Sequence, residues 1–187
     1  MLSAVCSLAY FGFLHCGEFT IKSNGKFNPK ENLTVSDIML NRNGFVLNLK
    51  TSKTDVFRLD VKVPFERQRI ETSPISCPVK LMLDYLHLRQ KGGAGKSDPL
   101  FINSKGMTLN RVYFIQTIKE IIESLGLLSD GYNGHSFRIG AATPAAKVNV
   151  PDHLIKTMGR WSSNCYQRYI RTDPKIVTIA QQKLSNF

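Results

Sequence analysis

Apolar positions fall into helical stripes at both ends of the chain and into short alternating runs between them. Met1 to Leu14 is apolar on most sides, which predicts an interior helix. From Leu33 to Val63 the period shortens. Leu33-Thr34-Val35 leads into Asp37-Ile38, and Gly44 to Leu49 reads as a strand. Thr51-Ser52-Lys53-Thr54-Asp55 is a polar turn, and Val56 to Val63 alternates as a second strand. The helical period then returns. Pro78 suits a first helical position, with Val79, Leu81, Met82, Leu83, Leu86 and Leu88 on the apolar face. Thr108 to Leu125 is amphipathic, with Val112, Ile115, Ile118, Ile121, Ile122 and Leu125 inward. His135 to Lys147 reads as a helix that Pro144 must bend or interrupt. Asp152 caps a helix through Met158, a short helix carries Tyr166 to Ile170, and Asp173-Pro174 opens a last one through Leu184. The expected fold is mostly α within an α+β class: a multi-helix domain with a small antiparallel β-sheet near its N-terminal third.

At 187 residues the chain is expected to form one domain, 1–187, large enough for a proper core. Charge changes the picture. Lys and Arg number 25 against 14 Asp and Glu, a net +11 that favours a polyanionic partner, nucleic acid before membrane surface. No apolar run reaches the roughly 18 residues of a spanning helix, so no membrane segment is expected. The apolar start imitates a secretory leader but lacks a basic n-region and a cleavage site. Cys6, Cys16, Cys77 and Cys165 have neither metal-ligand nor disulfide spacing and read as reduced intracellular thiols. Lys91 to Ser97 superficially suggests a phosphate-binding glycine loop. Its spacer is wrong and a helix precedes it, so it reads as a linker. Neither a metal nor a cofactor is expected.

The candidate chemistry lies in the C-terminal third. His135 and Arg138, three apart in Gly134-His135-Ser136-Phe137-Arg138, share one face if they open a helix. There they can hold the non-bridging oxygens of one phosphate, the arginine with two donors. Gly159-Arg160-Trp161 follows, and then Tyr169, whose phenolic oxygen can act as a nucleophile. Tyr166 competes with Tyr169 for that role.

Three segments carry a resemblance: Gly134 to Ala142, Met158 to Ser163, and Tyr166-Gln167-Arg168-Tyr169-Ile170-Arg171. They resemble the catalytic domain of tyrosine recombinases, or phage-type integrases, with a flavour similar to the Crypton and DIRS-type mobile elements of eukaryotes. Gly12 to Glu18 and Ser52 to Asp55 fall where that family has functional boxes. The resemblance implies DNA recombination and DNA integration on double-stranded DNA, a transposon-derived protein and a nuclear setting. Tyr169 would be the nucleophile that forms a 3′-phosphotyrosine intermediate, with Arg138 and His135 stabilising the transition state. Lys53, with Lys50 as rival, would be the general acid. Either Arg160, nine residues before Tyr169, or the aromatic Trp161 would fill the family's His/Trp position. Glu18 would buttress the first arginine, but His15 stands where the family has that arginine. Losing one such donor slows chemistry on the order of 10²–10³-fold. The family usually adds a separate N-terminal DNA-clamping domain, which is not expected within 1–187. The resemblance further implies that the tail helix, 172–187, docks on a neighbour in a homo-oligomer on DNA. Two alternatives accompany this reading: a catalytically impaired DNA-binding relic of a mobile element, or a type IB topoisomerase-like enzyme.

Overall fold

A computed structural model describes residues 1–22, 24–50, 61–67 and 77–184 of the chain. Helix α1 (Leu2–Phe11) buries Ala4, Val5, Leu8 and Ala9 and packs against two later helices, Pro78–Lys91 and Ser136–Lys147. The expected helix to Leu14 ends early. Phe13 takes a left-handed φ of 50°, which a right-handed helix does not continue. A second short helix, α2 (Cys16–Phe19), starts at His15, whose backbone N–H donates to the Glu18 carboxylate at 2.7 Å.

The sheet has three antiparallel strands in the order β1 (Ile38–Leu40), β2 (Gly44–Leu49) and β3 (Val61–Glu66). The expected second strand therefore runs past Val63. It continues through Pro64, opposite Val46, which an edge strand tolerates. Phe45, Leu47 and Leu49 point into the core, and Phe45 stacks on Phe65 at 4.7 Å. The turn at Thr51 to Asp55, with Lys53, and the adjoining residues 56–60 lie outside the described residues.

Helix α3 (Pro78–Lys91) closes the first core with Val79, Met82 and Tyr85. Leu88, expected inside, is 63% exposed, and Tyr85 takes that side, its hydroxyl donating to the Leu100 carbonyl at 3.0 Å. Helix α4 (Arg111–Ser124) is capped by Asn110, which accepts from the Tyr113 N–H at 2.8 Å. Of its expected inward set, Val112, Ile121 and Leu125 are exposed. Phe114 alone is buried, against Phe19 and Phe137. One core surface meets α4, so the rest of its wide apolar stripe turns outward.

Helix α5 (Ser136–Lys147) begins a second, smaller core of Phe13, Ala141, Ala142, Ile155, Trp161 and Tyr166. Pro144 is exposed and lies within this helix without ending it. Helix α6 (Asp152–Met158) has Pro151 at its cap position, so Asp152 is the first helical residue rather than the cap. A 3₁₀ helix (Asn164–Tyr169) and α7 (Pro174–Leu184) complete the described chain. No residue of α7 is buried. The second core, formed where both ends of the chain meet, carries the site.

Candidate active site

The start of α5 is shaped by local hydrogen bonds. Asn133 accepts from the His135 N–H at 2.9 Å, and the Ser136 hydroxyl accepts from the Asn133 N–H at 2.8 Å. Gly134 is closely surrounded: a Cβ there would lie 3.3 Å from Cys16 Cβ and 2.9 Å from the mobile end of the Arg111 side chain. This turn sets His135 at the helix entrance, exposed, and Arg138 one turn inward at 3% exposure.

Arg138 donates from Nη2 to the Gly159 carbonyl. Its guanidinium lies 4.4 Å from the centre of the Trp161 ring and 5.6 Å from that of Tyr169. Burial lowers its pKa from the usual arginine range, with the Glu18 charge opposing and the Arg160 charge adding to that effect. Arginine starts high enough to stay cationic at neutral pH. Its Nε is buried without a hydrogen-bond partner.

Tyr169 ends the 3₁₀ helix with its hydroxyl 3.3 Å from His135 Nδ1 and its ring 5.2 Å from Trp161. Its backbone is tied to α5 through one side chain. Thr143 Oγ1 donates to the Tyr169 carbonyl at 3.1 Å and accepts from the Arg171 N–H at 3.0 Å. On the other side of His135 stands His15, the two imidazoles edge-to-face at 5.0 Å. His15, His135, Tyr169, Arg138 and Trp161 thus form one continuous group drawn from the α1–α2 turn, α5, the loop after α6 and the 3₁₀ helix.

Arg160 and Trp161 part company. Arg160 has a left-handed φ of 55°, and the two side chains leave in different directions. Trp161 lies on Arg138 and Tyr169. Arg160 instead donates to the Glu18 carboxylate at 3.0 Å and to the carbonyls of Gly12 and Phe13 at 2.9 and 3.2 Å. Of the two, Trp161 is the one that packs against Arg138 and Tyr169. Gly159 makes room for it, since a Cβ there would sit 1.8 Å from a Trp161 ring carbon.

The rivals sit elsewhere. Tyr166 is buried, and its hydroxyl donates to Asp152 at 3.0 Å. Lys50 pairs with Asp37 at 2.7 Å and donates to the Pro29 carbonyl at 2.6 Å. Lys53 lies outside the described residues. Sequence reasoning missed Thr143 and the Arg160–Glu18 pair, and gave Gly159 only as the residue before Arg160. A glycine directly before Arg-Trp was the one available signal; nothing marked Thr143. Among the described residues no cluster of three or more His, Cys, Asp or Glu is placed to hold a metal ion, and no helix is long and apolar enough to cross a membrane.

No protein-family model and no curated protein matches the sequence. Solved structures do match the fold. The XerH site-specific recombinase bound to palindromic difH substrate, in a post-cleavage complex, aligns with a TM-score of 0.65 at 19% identity, over 96% of this chain and 44% of that one. The XerA recombinase aligns at 0.66 and 17% identity, over 97% and 57%. The Tn1549 transposon integrase in complex with circular intermediate DNA aligns at 0.52 and 13% identity, over 96% and 56%. The chain spans about half the length of these proteins. At such identities the likeness is one of architecture. Nearly the whole chain has the fold of a tyrosine recombinase catalytic domain, as the sequence pattern predicted.

Proposed function

We propose that this domain breaks and rejoins double-stranded DNA through Tyr169. The observation that carries the reading is the convergence of the Tyr169 hydroxyl, His135, Arg138 and Trp161 in this fold. The phenolic oxygen attacks phosphorus, forming a phosphotyrosyl bond to the 3′ side as the bond to the 5′ oxygen breaks. His135, 3.3 Å away, accepts the phenol proton. Arg138, the buried cation behind this pair, offsets the charge on the non-bridging oxygens, and the departing 5′ oxygen takes a proton, from Lys53 if the resemblance holds there. The phosphotyrosine keeps the phosphoester energy, and a 5′ hydroxyl reverses the step without a cofactor. The excess of basic residues supports DNA as the partner. A mobile-element origin and a nuclear setting belong to the same proposal.

Assembly on DNA completes it. Helix α7 exposes Ile176, Val177, Ile179 and Leu184. An apolar groove of about 250 Å³, lined by Tyr10, Phe114, Ile115, Ile118, Ile122 and Phe137, offers a seat for the α7 of a second copy.

One observation favours a second reading, a DNA-binding domain impaired in cleavage. His15 offers a phosphate a single imidazole donor, and the Nη donors of nearby Arg160 are taken by protein acceptors. Nicked duplexes that trap the cleaved strand separate the two. A covalent band from the native chain, lost in Tyr169→Phe, supports breakage. DNA retardation with a covalent band only in His15→Arg supports the impaired domain.

A further inference from the structure

Phe13 and Arg160, both with side chains and both left-handed, occur in two loops that face each other across the site. That conformation is unfavourable for such residues and persists where surrounding contacts impose it. Here the contacts converge on Arg160, whose side chain is 11% exposed. Nη1 donates to the carbonyls of Gly12 at 2.9 Å and Met158 at 3.3 Å, and Nη2 to the Phe13 carbonyl at 3.2 Å and Glu18 Oε2 at 3.0 Å. Glu18 Oε2 also accepts from the His15 N–H at 2.7 Å. One carboxylate oxygen thereby joins the Arg160 guanidinium to the backbone of His15. The next residue along, Trp161, lies edge-on to Phe13 at 6.1 Å and beneath the Arg138 guanidinium. Lysine lacks the planar fork that reaches these acceptors together.

We propose that Arg160 is a positioning residue. Its guanidinium locks the loop bearing His15 to the loop bearing Trp161, and so holds Trp161 against Arg138 and Tyr169. Its effect on cleavage rests on the DNA-breakage reading, whereas its effect on Trp161 is measurable without DNA.

Trp161 is the only tryptophan of the chain and is 6% exposed, so its emission reports this packing directly. The experiment compares the full chain with Arg160→Lys, Arg160→Ala and Glu18→Gln, checking each fold by circular dichroism. Arg160→Ala is expected to shift the emission to the red. Its covalent capture of nicked duplex at saturating DNA falls on the order of 100-fold, with Kd for DNA unchanged. Added guanidinium ion restores both signals, and Arg160→Lys lies between. Native emission with native capture in Arg160→Ala would overturn the proposal, as would a loss of capture wholly accounted for by Kd. If Arg160→Ala fails to fold, Glu18→Gln decides: a red shift with slowed capture supports the lock, and native values refute it. Emission that shifts and is rescued, with no covalent DNA from any chain including the native one, would uphold the positioning role and sink the DNA-breakage reading instead.

Discussion

Single residues set the geometry at the site, and the clearest case is a missing side chain. The Trp161 ring occupies the space that a Cβ on Gly159 would need, with ring carbons 1.8 and 2.1 Å from that point. Gly159→Ala should therefore displace Trp161 and destabilise the domain by about 1–3 kcal/mol, the usual cost of overpacking. Urea unfolding measures it, and an unchanged midpoint would mean that the ring has another seat. Cys6 gives a pH-dependent test in the first core. Burial pushes its thiol up to about 12, slightly offset by the chain's amino terminus. An unfolded thiol ionises near about 8.5. Between those values the native chain keeps a proton that the unfolded chain has released, so stability falls as pH rises. Cys6→Ala should flatten that decline, whereas equal slopes for both proteins would contradict the assignment. Motif spacing alone brought Tyr169, Arg138 and His135 into view. The choice between Arg160 and Trp161 was not legible, because it depends on a left-handed φ at Arg160 and on a partner, Glu18, 142 residues away in sequence.

Among the elements, α5 matters most, since it carries Arg138, starts directly after His135 and anchors the backbone of Tyr169. Thr143 supplies that anchor with one donor and one acceptor. Thr143→Val should cost about 1 kcal/mol per lost hydrogen bond and slow covalent capture while leaving DNA retardation intact. Capture at the native rate would show that the 3₁₀ helix needs no such tie. Pro144 works against the same helix. Pro144→Ala should stabilise the domain by up to about 3 kcal/mol and so raise the urea midpoint, and a fall would show that the proline shapes the helix usefully. The element pattern was legible in the start of α3 at Pro78 and where strands alternate, as in β2. It misled where a stripe is wider than the surface it meets. Val112 and Ile121 of α4 read as core, yet Phe114 fills the contact and they remain exposed. The break between α1 and α2 was hidden as well, because Phe13 and Leu14 continue the apolar run while the backbone turns.

At the scale of the whole molecule, the proposed function rests on an excess of positive charge and on the exposed apolar residues of α7. Binding driven by phosphate contacts falls steeply with salt, so DNA retardation should weaken sharply between low and physiological ionic strength. A salt-independent Kd would contradict the charge argument. The central claim is narrower: Tyr169 becomes covalently joined to DNA. The direct measurement incubates the native chain with a pool of nicked duplexes, digests the products with trypsin and weighs the peptides. A nucleotide-bearing Tyr169-Ile170-Arg171, absent from Tyr169→Phe, is the predicted result. Retarded DNA with no modified peptide, or a modification carried on Tyr166, would contradict it.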